Sequence, residues 1–396
     1  MTTANEKLQS SLIKHQAELE WLANHTSDRV VELLRKTEPR IIERIAAFIR
    51  KNRNPKQYEW KRLEALRAVI RTIRKNGWAA VGKELNELAM QLAIEEAKHW
   101  PTELREIMPT QIDVVAPTAA TMREIVKSKP IHGRVMSEWV SKMFEDDMVR
   151  ISTKVQAGIL AGETLDNMMR TLFGSERLEY RDGTTTLTQS QLKTVVRTMI
   201  HHVASDARAE FVKANAAELG GKERFVATLD SRTTPLCGSL DGKLFNVGEG
   251  PQPPLHYNCR SARVFFIDAE SQLNRPFKSV VEKDLLEEYA KQNNLGSLSK
   301  RNALPYGHKT KFDKFAQKKK LEMIGTLPGD TKFSDWFANQ SKSFQIQALG
   351  ETRAKLYRLG GLKLDKFQDI SGRKLTLAEL YAQNKSAFTK AGAKPQ

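Results

Sequence analysis

The sequence predicts an α+β protein that is predominantly helical: a helical N-terminal region, central helices packed on a small β-element with a long clasp loop, and a smaller C-terminal domain. Three observations carry this. Helix formers with apolar residues at helical spacing dominate long stretches, as in VVELLRKTEPRIIERIAAFI. Two strand-like runs, Arg224 to Leu229 and Ser261 to Ile267, flank a long loop rich in Gly, Pro, Asp and Asn. At 396 residues the chain can form two or three domains, each with its own core.

Composition narrows the function classes. Apolar content of 40% and charged content of 28% are those of a soluble globular protein, and no run approaches the roughly 20 apolar residues of a membrane span. The opening MTTANEKLQSSLIKH lacks the apolar core and cleavage site of a secretory signal, so synthesis in a cytoplasm is expected. Two cysteines make no disulfide framework. A net charge of +17, from 64 Lys and Arg against 47 Asp and Glu, predicts attraction to polyanions, with nucleic acid the commonest and an acidic protein surface the alternative.

Residues 1–130 read as a basic helical region. Two helices fill residues 5 to 50, with Pro39 at a boundary or first-turn position. Between Arg35 and Lys75 fourteen basic residues meet four acidic ones beside Tyr58 and Trp60. Arg50, Lys51, Arg53, Lys56, Lys61, Arg62, Arg71, Arg74 and Lys75 are the candidate DNA contacts, and the same charges also suit a solvated helix face. Trp78 to Trp100 reads as an amphipathic helix ended by Pro101. Met108 to Thr121 reads as an extended connection.

Residues 131–268 form the second unit. GILAGET predicts a helix, a glycine turn and a second helix capped near Thr164. Gln189 to Asn215 is a long helix with Ala204, Ala207 and Ala209 for close packing, and with His202 and Asp206 spaced either to pair or to offer two metal ligands on one face. Gly220-Gly221 ends it. Residues 269–396 are a connector and C-terminal extension, with helix signals around Trp336 and Phe344 and a polar turn at Ser371-Gly372.

The loop between the two strands holds both cysteines. His256 and Cys259 have the HxxC spacing that places two ligands on one zinc; Cys237 would be a third, and Asp230 or Asp241 a fourth. Two buried thiols beside a histidine bonded to a loop carbonyl account for the same residues without metal. Asp230, Ser231 and Thr233 suit a turn at a strand end, Asp241-Gly242 suits a hairpin, and Arg232 and Arg260 are placed to clamp Asp230 and Asp241. The sequence lacks GxxxxGK[ST], HExxH, GxSxG and a strand-linked GxGxxG.

The pattern TLDSRTTPLCGSLDGKLF followed by PPLHYNCRS resembles the signature of the Mu F-like phage head-morphogenesis proteins, also called minor capsid or minor head proteins. It falls on Asp230, Arg232, Thr233, Cys237, Asp241, Gly242, Pro253, Pro254, His256, Asn258, Cys259, Arg260 and Ser261, and the likeness extends back to about residue 150. Tyr257 stands where the family usually has Pro. The resemblance implies a structural, non-enzymatic minor head protein of a tailed phage, made in the host cytoplasm and located in the virion, in the capsid interior or at the portal vertex. Its implied partners are the portal protein, the major capsid or scaffolding protein, and packaged double-stranded DNA, with which it would be delivered. No cofactor is expected beyond the candidate zinc at Cys237, His256 and Cys259. The alternative is a zinc-dependent nuclease-like or toxin-bearing head protein.

Overall fold

A computed structural model describes every residue except 1–3, 52–59, 109–112, 176–181, 267–273, 297, 299, 306, 323, 329–330, 370–372 and 396. It is an α+β fold dominated by helices, as the patterning predicts. Ile267, Ser371 and Gly372 fall outside the described residues, as do Arg53 and Lys56 of the basic stretch.

The chain opens with α1 (Ala4–Arg35), α2 (Glu38–Lys51) and α3 (Trp60–Ile107). Pro39 sits in the first turn of α2, where a missing N–H costs nothing. Pro101, expected to end a helix, lies inside α3 instead. A proline removes one intrahelical hydrogen bond, but Trp100 and Leu104 on either side are fully buried against Leu8 and Leu12 of α1, and that packing carries the helix through. Gly77 lets α3 pass close to the chain entering α2, since a Cβ there would stand 2.7 Å from the Thr37 methyl.

Next come α4 (Ala119–Ser128), α5 (Met136–Leu160), α6 (Leu165–Phe173) and α7 (Thr185–Ala214). Thr164 caps α6 by accepting the Asn167 N–H, as its sequence position predicts. Helix α7 is the centre of the molecule. It is apolar on nearly every side, with Val196, Met199, Ile200, Ala204 and Ala207 at 0% exposure, and α1, α3 and α5 pack around it. One core runs from Leu19 to Ala207, so helices from both sides of residue 130 bury each other.

That core holds a charged pair. Arg74 Nε donates to Asp147 Oδ2 at 2.6 Å, and the Trp78 indole donates to the same oxygen at 2.9 Å. Thr188 Oγ1 donates to Asp147 Oδ1 at 3.1 Å, and Arg74 Nη1 donates to the Leu34 carbonyl at 2.8 Å. Both charged side chains have 0% exposure. Arg74 is therefore no DNA contact: it faces the interior, where the Asp147 carboxylate, the Leu34 carbonyl and Thr37 Oγ1 compensate its lost hydration.

After α7 the chain builds β1 (Lys222–Val226), α8 (Pro235–Leu240), β2 (Leu244–Asn246) and β3 (Ala262–Phe265). They form an antiparallel sheet of order β2-β1-β3, with Arg224 opposite Val264 and Leu244. Phe265 and Val264 pack with Phe211, Trp100 and Leu12, which fixes the sheet on α1, α3 and α7. The remainder comprises β4 (Asn274–Lys278), α9 (Glu282–Gln292), α10 (His308–Glu322), β5 (Ile324–Pro328), α11 (Phe333–Ala338), α12 (Lys342–Leu349), α13 (Glu351–Arg358), α14 (Leu377–Gln383) and α15 (Lys385–Ala391). Phe333, Trp336, Phe337 and Phe344 build a separate C-terminal core that also takes in Leu229 from the clasp.

Candidate functional site

The clasp is more ordered than an irregular loop. Thr234 accepts the Cys237 N–H and Pro235 opens the first turn of α8, a short helix the loop-like composition conceals. Asp241-Gly242, expected as a hairpin turn, instead closes α8 and feeds β2; Gly242 takes φ 77°, which favours glycine. The Gly242 N–H then donates to the Phe225 carbonyl at 2.8 Å.

The two aspartates do different work. Asp230 receives Arg260 through two bonds of 2.7 Å each, and also accepts the Arg232 backbone N–H at 3.0 Å. Burial would raise the Asp230 carboxyl, but Arg260 and then Arg232 more than reverse this and hold it below its usual value. Arg232 is itself exposed and reaches Asp230 at 3.4 Å. Thr233 Oγ1 donates to the Thr228 carbonyl, closing the turn. Asp241, expected to be clamped by an arginine, instead accepts backbone N–H groups: Ala227 at 2.7 Å and Phe333 at 2.8 Å. No guanidinium is needed because two N–H donors already satisfy the buried carboxylate.

Cys237, His256 and Cys259 converge. Their ligand atoms lie within 4.8 Å of one another, with Cys237 Sγ 3.7 Å from Cys259 Sγ and 3.3 Å from His256 Nε2. Both sulfurs are buried and unbridged. Neither Asp230 nor Asp241 joins this group, so the carboxylate expected as a fourth ligand is committed elsewhere. The Cys237 thiol holds the Cys259 thiol well below its usual value, and the same contact pushes Cys237 up. Burial alone would lower the His256 imidazole; Cys259 beside it reverses that.

The rest of the clasp docks on α7. The Asn258 N–H donates to Thr198 Oγ1 at 3.1 Å, with Asn258 at φ 56°, and Gln252 Nε2 donates to Ser205 Oγ at 3.2 Å. The Pro253-Pro254 bond is cis. His202 and Asp206 pair at 3.2 Å, as their spacing predicts, and Lys129 joins Asp206 at 3.1 Å.

Two groups here are invisible in the sequence. Buried Arg263 pairs with buried Glu223 at 3.0 Å and donates to the Glu249 carbonyl at 2.7 Å, while Arg208 of α7 donates to the Arg263 carbonyl at 3.2 Å. These bonds tie sheet, clasp and α7 together. His132, at φ 46°, lies against Tyr257 with ring centres 4.8 Å apart and hydrogen-bonds the His256 backbone. The only sequence signal for it is the His-Gly turn at 132 and 133.

Fold and site define a helical protein built around a β-clasp whose polar groups are spent on holding chain segments together. Residues 149–264, from within α5 into β3, match the family model described as phage Mu protein F like protein, the family that the Asp230 to Ser261 pattern resembles. That similarity is to phage head-morphogenesis proteins. No curated protein and no solved structure matches the chain. Among the described residues no helix is long and apolar enough to cross a membrane.

Proposed function

We propose that this protein is a minor structural component of a tailed-phage head, needed for head assembly and held between the portal vertex and the packaged DNA. The family match over residues 149–264 carries this reading. The site chemistry supports a structural role, since Asp230, Asp241, Arg260 and Arg263 all bond to protein groups across the clasp. The charge of +17 favours a compartment dense in phosphate. Arg50, Lys51, Lys61 and Lys75 are exposed on α2 and α3 and are the charges this reading offers to DNA, while Arg62 and Arg71, also exposed, are already engaged, Arg71 by Glu145.

Mass spectrometry of procapsids, mature virions and DNA-emptied particles tests the proposal. The protein is expected at low copy in procapsids and virions, and its loss from emptied particles would mark delivery with DNA. Absence from both procapsid and virion would refute the head role.

A further inference from the structure

We propose that Cys237, Cys259 and His256 bind one zinc-type divalent ion, with the fourth coordination position taken by water. This does not rest on the head-protein reading. Two thiolates on a tetrahedral zinc stand about 3.8 Å apart, and a thiolate and an imidazole nitrogen about 3.5 Å. The corresponding separations are 3.7 Å and 3.3 Å. A disulfide would need the sulfurs at about 2.05 Å.

The imidazole is set for ligation. His256 Nδ1 stands 2.9 Å from the Tyr257 carbonyl oxygen, which can only accept, so Nδ1 carries a proton and donates it. Nε2 is then the nitrogen left to the metal, and it is the one that faces Cys237 Sγ. A ligating histidine is characteristically held in this way by a carbonyl behind it. The carbonyl bond alone would also suit a metal-free thiol pair. The coincidence of both separations with tetrahedral spacing is what favours a metal.

Charge agrees with the placement. Two thiolates and a neutral imidazole around a divalent ion sum to zero, as the burial of Cys237 and Cys259, residues with 1% and 0% exposure, requires. Metal entry displaces the thiol protons to solvent and changes no oxidation state. Local geometry supports the set on both sides. Thr234 both caps α8 beneath Cys237 and brings Oγ1 to 3.1 Å from His256 Nε2, where it can orient the fourth ligand. The Cys259 N–H donates to the His256 carbonyl at 3.1 Å, folding the HxxC segment so that both side chains face Cys237.

The test uses the full chain purified without chelator. Elemental analysis is expected to find about one zinc per chain. Cobalt(II) added to reduced, metal-stripped protein is expected to give a thiolate-to-cobalt charge-transfer band and the intense visible bands of a tetrahedral ion. Cys259→Ser should lose the charge-transfer intensity in large part, whereas His256→Cys, which supplies another soft ligand, should keep the metal. Should the variants fail to fold, wild-type protein still decides: thiol modification must release the zinc stoichiometrically into a colorimetric chelator. Two freely titrating thiols with no bound metal and no cobalt band, or a Cys237–Cys259 disulfide in the purified protein, would overturn the proposal.

Discussion

Asp241 Oδ2 accepts the backbone N–H of Phe333 at 2.8 Å while its Oδ1 accepts that of Ala227 at 2.7 Å, so one carboxylate joins the clasp to the C-terminal core. The Phe333 ring lies on Gly238, where a Cβ would stand 2.4 Å from a ring carbon. The smallness of residue 238 and the charge of residue 241 thus serve the same junction.

Removing the carboxylate strands two buried N–H groups. Asp241→Ala should destabilise the protein by about 2–4 kcal/mol, and Asp241→Asn, with one acceptor oxygen, by about half as much. Gly238→Ala should cost about 1–3 kcal/mol through overpacking on Phe333. Urea unfolding followed by tryptophan fluorescence measures all three, and wild-type stability in Asp241→Ala would show that the junction contributes little.

The interior ion pair separates stability from DNA contact. Arg74→Ala leaves Asp147 charged and buried, and should cost about 3–5 kcal/mol. Lys75→Ala, on the exposed side of the same helix, should change stability by less than about 0.5 kcal/mol. Binding to duplex DNA should respond in the opposite way: Lys61→Ala with Lys75→Ala should flatten the salt dependence of the affinity. A salt slope unchanged by the double variant would remove α3 from the DNA surface.

Glu38 supplies a pH dependence. Burial pushes its carboxyl up to about 7, and Arg74 and Arg35 offset only part of this. The folded state therefore holds the proton longer than the unfolded chain, whose value is 4.5. The favourable contribution is complete below that value and is lost as pH rises towards about 7. Glu38→Gln should be near neutral at about pH 4 and stabilising by on the order of 2 kcal/mol at about pH 8. Equal effects at both pH values in denaturant titrations would refute the assignment.

Asp230 has the opposite sign. Burial raises its carboxyl, but Arg260 outweighs burial and leaves it below the unfolded value of 3.8. The pair stabilises the fold above that value and is lost as pH falls through the depressed folded value. Asp230→Asn should cost about 1–3 kcal/mol near pH 7 and should weaken the acid limb of the stability curve. An unaltered acid limb would place the acid sensitivity elsewhere.

Much of the helical layout is legible in the chain because helical periodicity and caps are local. Pro39 and Thr164 mark observed boundaries, whereas α7 already ends at Ala214 and Gly220-Gly221 turns the chain into β1. Pro101 misleads because the burial of Trp100 and Leu104 against α1, ninety residues away in sequence, outweighs one lost hydrogen bond. The clasp residues are recognisable as a set, yet their pairing is not: Arg260 chooses Asp230, and Asp241 turns to backbone groups.

The sequence by itself determined the helical fold class, the basic charge, and the group of residues from Asp230 to Ser261 that marks the family likeness, because each depends on composition, period or a contiguous motif. Only the tertiary structure decided that Arg74 is interior, that Asp241 reaches Phe333, and that Cys237 meets His256 and Cys259 at zinc-ligand spacing. These are contacts between segments far apart in the chain. Their geometry depends on how α7, the sheet and the C-terminal core pack, and no local pattern encodes that packing.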